Sequence, residues 1–170
     1  MGVPLVPPAG AGADIFLHVQ AKRAGKVKGE SKSPGFADDI ELLGWHWGVS
    51  AASGLDHTKA VRRRSYTALT VHKRIDSATT ALMSALVTND EIKEAKLTMR
   101  RAGGDQEPFF VIKLERARVT SVQHDADASG DARETVAFAF TKVEVEYTPQ
   151  RATGLRSGGM VFTDELLEAS

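Results

Sequence analysis

Through most of this chain apolar residues recur at every second position, and only one stretch carries helical spacing. A side-chain period of two belongs to a strand with one buried face, a period near 3.6 to an amphipathic helix. Residues 14–20 set Ile15, Leu17 and Val19 on one side, and residues 65–73 set Leu69 and Val71 together. Residues 94–101 place Ala95, Leu97 and Met99 opposite Lys96, Thr98 and Arg100, before the hairpin turn signal AGGD at 102–105. Residues 26–31 and 40–50 read as further extended pieces, and SKSPGFADD as a loop. Long strands are expected over 108–122 and 134–147, separated by the polar QHDADASGDA and ended by Pro149.

The helical stretch is IDSATTALMSALVTND, where Ala78, Ala81, Leu82, Ala85 and Leu86 form one stripe. A helix over about 77–88 follows, with Asp76 or Ser77 as its cap and Asn89-Asp90 as its exit. The expected class is mainly β, with one flanking α-helix.

Both long strands change phase. Phe110, Ile112 and Leu114 give way to Ala117 and Val119, and Val136, Phe138 and Phe140 give way to Val143, Val145 and Tyr147. Either each strand carries a bulge that re-aims its side chains, or each buries its second face against another surface, which requires a partner.

Function by chemistry is poorly supported. The 170 residues carry 42% hydrophobic and 26% charged residues at formal net charge zero, as a soluble single domain does and a nucleic-acid-binding one does not. The absence of cysteine excludes disulfides, thiolate metal sites and cysteine nucleophiles. The five histidines, at 18, 46, 57, 72 and 124, form no HxH, HxxxH or HExxH. Asp38, Asp39 and Glu41 cluster without a catalytic partner at readable spacing. Asp125, Asp127 and Asp131 lack the glycine and the bidentate glutamate of a calcium loop. The run VRRR at 61–64 reads as a solvated strand edge. Gly103-Gly104 lacks the context of a phosphate loop, and no GxSxG occurs. No catalytic, cofactor or metal residue is therefore assigned. The N-terminal MGVPLVPPAGAGA lacks the charged and apolar regions of a signal peptide, and no apolar run is long enough to span a bilayer. Folding in the cytoplasm is expected.

In GWHWG, at 44–48, strand parity puts Trp45 and Trp47 on one face with Leu43 and Val49. His46 takes the opposite face, with Leu42 and the two glycines. The tryptophans are thus expected to anchor the core, and His46 to lie at a surface or interface.

Six ordered stretches carry a resemblance: DIFL at 14–17, KGES at 28–31, IELLGWHWG at 40–48, IDSAT at 75–79, AKLTMRRAGG at 95–104 and VEVEYTPQ at 143–150. Together, over about 14–150, the chain resembles the haemolysin-coregulated protein (Hcp) family, the inner-tube proteins of bacterial type VI secretion systems. The resemblance implies a compact β-barrel of two packed antiparallel sheets, assembling as a hexameric ring. Rings would stack into a hollow tube, expelled by sheath contraction, that carries small effector proteins in its lumen. It implies no cofactor and no turnover. Its partners would be further copies of itself, spike and sheath proteins and effectors, with neither nucleic acid nor membrane insertion. Export by the machine itself suits the missing signal.

The loop following GWHWG, with Ala51, Ala52, Ser53, Gly54, Leu55, Asp56 and His57, corresponds to the family's protruding loop between rings, with Leu55 its apolar anchor. An N-terminal arm (1–13), the basic AKRAGK at 21–26 and a C-terminal tail (151–170) depart from the pattern. Two other readings remain: a tube-like paralogue serving as effector carrier or adaptor, and a monomeric β-sandwich for ligand binding or hydrolysis.

Overall fold

The computed structural model describes residues 14–52, 64–101, 107–149 and 158–166. β1 (Asp14–Ala21) runs antiparallel to β8 (Ile92–Arg100) on one edge, and to β2 (Gly25–Val27) and β3 (Ile40–Glu41) on the other. β8 pairs with the first half of β9 (Pro108–Ala126), whose other edge holds β11 (Lys142–Tyr147) and then β12 (Met160–Glu165). The second half of β9 pairs with β10 (Ala132–Ala139), followed by β7 (Leu69–Arg74) and β4 (Gly44–His46). β5 (Val49–Ala51) and β6 (Arg64–Tyr66) form a separate two-stranded ribbon. Among the described residues the path of strands does not close on itself, so the two-sheet form of the expectation is the one realised.

The phase changes have one cause. At Arg116 the backbone takes φ 48°, and beyond it β9 leaves the first sheet for the second. Thr141 faces that bend, its N–H and hydroxyl both donating to the Arg116 carbonyl, at 3.2 and 3.0 Å. There the strand expected over 134–147 breaks into β10, in the second sheet, and β11, in the first. Strands that turn a corner between sheets must switch the parity of their buried side chains. Ile112, Leu114, Ala117 and Val119 consequently all enter one core, with Val136, Phe138 and Val143. The corner accounts for both phase changes without a partner.

α1 (Thr79–Val87) lies against this core through Ala78, Leu82 and Ala85, all buried, with Ala81 and Leu86 beside them. At its start the Ala78 N–H donates to Asp76 Oδ1 at 2.9 Å, and the Asp76 N–H to Thr79 Oγ1 at 3.0 Å. At its end Asn89, with φ 54°, allows the Asp90 N–H to return to the Ala85 carbonyl. That is the closing bond of a Schellman turn. Asp90, itself buried, accepts the N–H groups of Arg23 and Ala24, both at 3.1 Å. The Arg23 guanidinium donates to the Thr88 carbonyl at 2.6 Å. The basic turn after β1 therefore serves as a cap for the helix C-terminus.

Residues 40–50 do not form one strand. The Leu42 N–H donates to the Ile15 carbonyl in the first sheet and the Leu43 N–H to the His72 carbonyl in the second. The chain crosses between sheets at this point, so the expected parity fails. Leu42 is buried, whereas Leu43 and Val49 are exposed.

Candidate assembly surfaces

Trp45 lies on β4, the end strand of the second sheet, and Trp47 just beyond it. Trp45 is half-buried against the core and stacks on Phe110, with ring centroids 5.8 Å apart. Trp47 stacks on Tyr66 at 5.7 Å and meets the edge of Phe140 at 6.2 Å. His46 is exposed and stacks on His72 of the neighbouring strand at 5.4 Å. Beside His72 lies an open groove of about 400 Å³, also lined by Leu43, Gly44, Asp125, Arg133 and Thr135. No group of three or more potential metal ligands occurs among the described residues.

Residues that looked chemical in sequence have structural partners. Asp39 is buried and pairs with His18 Nδ1 at 3.0 Å and Lys26 Nζ at 3.1 Å. Asp127 closes its own turn by accepting the N–H groups of Ser129 and Asp131. Arg64 is no solvated edge residue. Its guanidinium grips Asp164 on β12 at both oxygens, at 2.5 and 3.1 Å, and Tyr66 Oη donates to the same carboxylate at 2.8 Å. The Arg64 hydrogen bond, and Tyr66 after it, hold the Asp164 carboxyl below its ordinary value. Burial, followed by the Asp164 bond, pushes the Tyr66 hydroxyl up to about 12.

This linkage was missed in sequence. Its far partner lies in the segment read as a tail, where the β-favouring MVFT was the available signal. Within the loop expected to contact a neighbouring ring, Ala51 and Ala52 are exposed, and Ser53, Gly54, Leu55, Asp56 and His57 lie outside the described residues. The arm 1–13 lies outside them as well.

β12 is the last strand of its sheet, and among the described strands it pairs with β11 alone. It exposes Met160 (65%), Val161 (59%) and Phe162 (49%), with Tyr147 opposite Met160 also open. Phe162 continues the row Leu17, Leu97, Ile112 and Val145, whose first three members are buried while Phe162 is open.

Comparison with known proteins decides the identity. The family model described as "Type VI secretion system effector, Hcp" matches residues 16–147. The chain belongs to the Hcp family. Protein hcp1 of Pseudomonas aeruginosa is 36% identical over 152 residues, covering 87% of this chain and 91% of that protein. Among solved structures, one described as a type six secretion system protein superposes with TM-score 0.78 at 27% identity, covering 90% of this chain and 95% of the other. Hcp1 from Salmonella typhimurium gives 0.72 at 25%, covering 91% and 95%.

This Hcp chain is thus a type VI secretion tube or effector-carrier protein, ring-forming and secreted, with a structural role in place of catalysis. No helix among its described residues is long and apolar enough to cross a membrane. Two Hcp-like motifs acquire physical causes here. In KGES, a Cβ on Gly29 would lie 2.4 Å from the Asp39 carbonyl oxygen, so only glycine fits where the loop doubles back. In GWHWG, the segment carries the chain from the sandwich into the β5–β6 ribbon.

Proposed function

We propose that this Hcp chain forms a hexameric ring, and that the rings stack into the hollow tube driven out by sheath contraction, with small effector proteins in the lumen. Assembly takes place in the cytoplasm, with spike and sheath proteins as the further partners. The observation that carries this reading is the edge of β12. A strand edge that no further described strand pairs, bearing three exposed apolar side chains, is a surface for pairing, and a second copy of a ring-forming chain is its natural occupant. Stacking uses the loop from Ala51 to His57, with Leu55 as its apolar contact.

The test is light scattering and electron microscopy of the purified protein. Particles of six times the 18.3 kDa chain mass, seen as rings, are expected. Phe162→Asp should shift them towards monomers, and Leu55→Asp should leave rings that no longer stack. A wild-type chain that stays monomeric at high concentration overturns the ring. Undiminished stacking of Leu55→Asp overturns the loop assignment.

A further inference from the structure

We propose that Asp164 on the C-terminal strand is a positioning residue that aims the β5–β6 ribbon, and thereby sets whether assembled rings can stack; this rests on the stacking role given above to the loop the ribbon carries. The ribbon is weakly founded by itself. Among the described residues it has three cross-strand residue pairs, all of β5 is exposed, and neither strand joins the main sheets by a ladder. An isolated two-stranded ribbon is marginal in water. Its base is held by the Gly48–Thr67 bonds, at 2.9 and 3.0 Å, and by the stacking of Trp47 on Tyr66.

Asp164 supplies what these lack, a charged tie from the ribbon to the rigid sandwich. It stands opposite Val143, at the end of the inward row formed by Val19, Ala95, Leu114 and Val143, every one of them buried. A carboxylate at the end of an apolar row fits only with donors facing it. Here Arg64 gives two planar hydrogen bonds and Tyr66 a third. Arg64 also donates to the Glu165 carbonyl at 3.2 Å. Bidentate pairing fixes direction as well as distance, so the leg of the ribbon that holds Arg64 takes its orientation from β12. The C-terminal strand and the ribbon thereby become one mechanical unit.

The test uses the full chain as assembled rings, comparing wild type with Asp164→Ala and with Glu165→Ala as the neighbouring control. Amide hydrogen exchange is read at Val49–Ala51 and Arg64–Tyr66, and tube length by electron microscopy. For Asp164→Ala, ribbon protection should fall by about tenfold or more while rings persist and tubes shorten or vanish. The control should leave ribbon protection unchanged. If Asp164→Ala loses its rings, Tyr66→Phe, which removes one bond to the carboxylate, should show a smaller loss confined to the same amides. Unchanged ribbon protection in Asp164→Ala or, where its rings are lost, in Tyr66→Phe overturns the inference. Lost protection in a protein whose wild-type rings never stack upholds the tie and overturns the stacking reading instead.

Discussion

Lys73 Nζ lies 2.9 Å from Glu134 Oε1, and neither side chain is exposed at all. The ammonium also reaches Asp76 Oδ1 at 2.7 Å and Thr79 Oγ1 at 3.3 Å, and His124 Nε2 pairs with the second Glu134 oxygen at 2.7 Å. The network thus joins β7, β9 and β10 to the first turn of the helix. Burial of two charges is costly unless every donor and acceptor is met, and here they converge. Lys73→Met strands Glu134, and it is expected to cost about 3–5 kcal/mol. Urea unfolding at fixed protein concentration measures it. A loss below about 1 kcal/mol would show the pair to be dispensable.

Acid should dissolve the same network. Burial pushes the Glu134 carboxyl up, but hydrogen bonds from Lys73, His124 and Thr79 outweigh it and leave the folded value below the ordinary 4.5. A depressed folded value contributes stability that is complete above 4.5 and lost as pH falls through the lower folded value. Glu134→Gln should flatten the acid limb of a stability–pH curve. Asp90 and Asp164, both depressed as well, should keep some slope.

Tyr66 gives a signal at the other extreme. With its hydroxyl held near 12, one of the two tyrosines should ionise only around that pH in an ultraviolet titration of the folded protein. Because the folded value is raised above the ordinary 10, the associated stability is present below pH 10 and declines towards 12. Tyr66→Phe should remove that late step. A normal titration near 10 in the folded wild type would contradict the burial of this hydroxyl and its Asp164 bond.

Gly29→Ala tests the loop folded over β1. The added methyl would overlap the Asp39 backbone, which Phe36 and the pairs of Asp39 hold in place. A loss of about 1–3 kcal/mol is expected in the same denaturation assay, while Gly35→Ala, with open space around its Cβ position but φ +83°, should cost less. Equal costs at the two positions would remove the steric account of KGES.

The helix was legible in the sequence because both its apolar stripe and its exit are local. Thr79–Val87 lies within the expected span, and Asn89 takes the left-handed turn that its side chain tolerates. The same holds for β1 and β8, whose alternation needs only one buried face. Residues 40–50 were misread for the complementary reason. Strand parity assumes one sheet, and the chain changes sheets at Leu42-Leu43.

The sequence by itself determined the mainly β class, the helix over Thr79–Val87, the Hcp family and the absence of a readable catalytic set, since each is written in local period, motif order or residue type. Only the tertiary structure decided that the two phase changes are one corner, where Arg116 meets Thr141. It alone decided that Arg64 belongs to Asp164, a hundred residues away. Pairings over such distances are fixed by where two sheets bring backbone together, and no local pattern records them. The tail held β12 and the ribbon's tie for the same reason: strand edges and ion pairs become visible only once the sheet that ends there has been built.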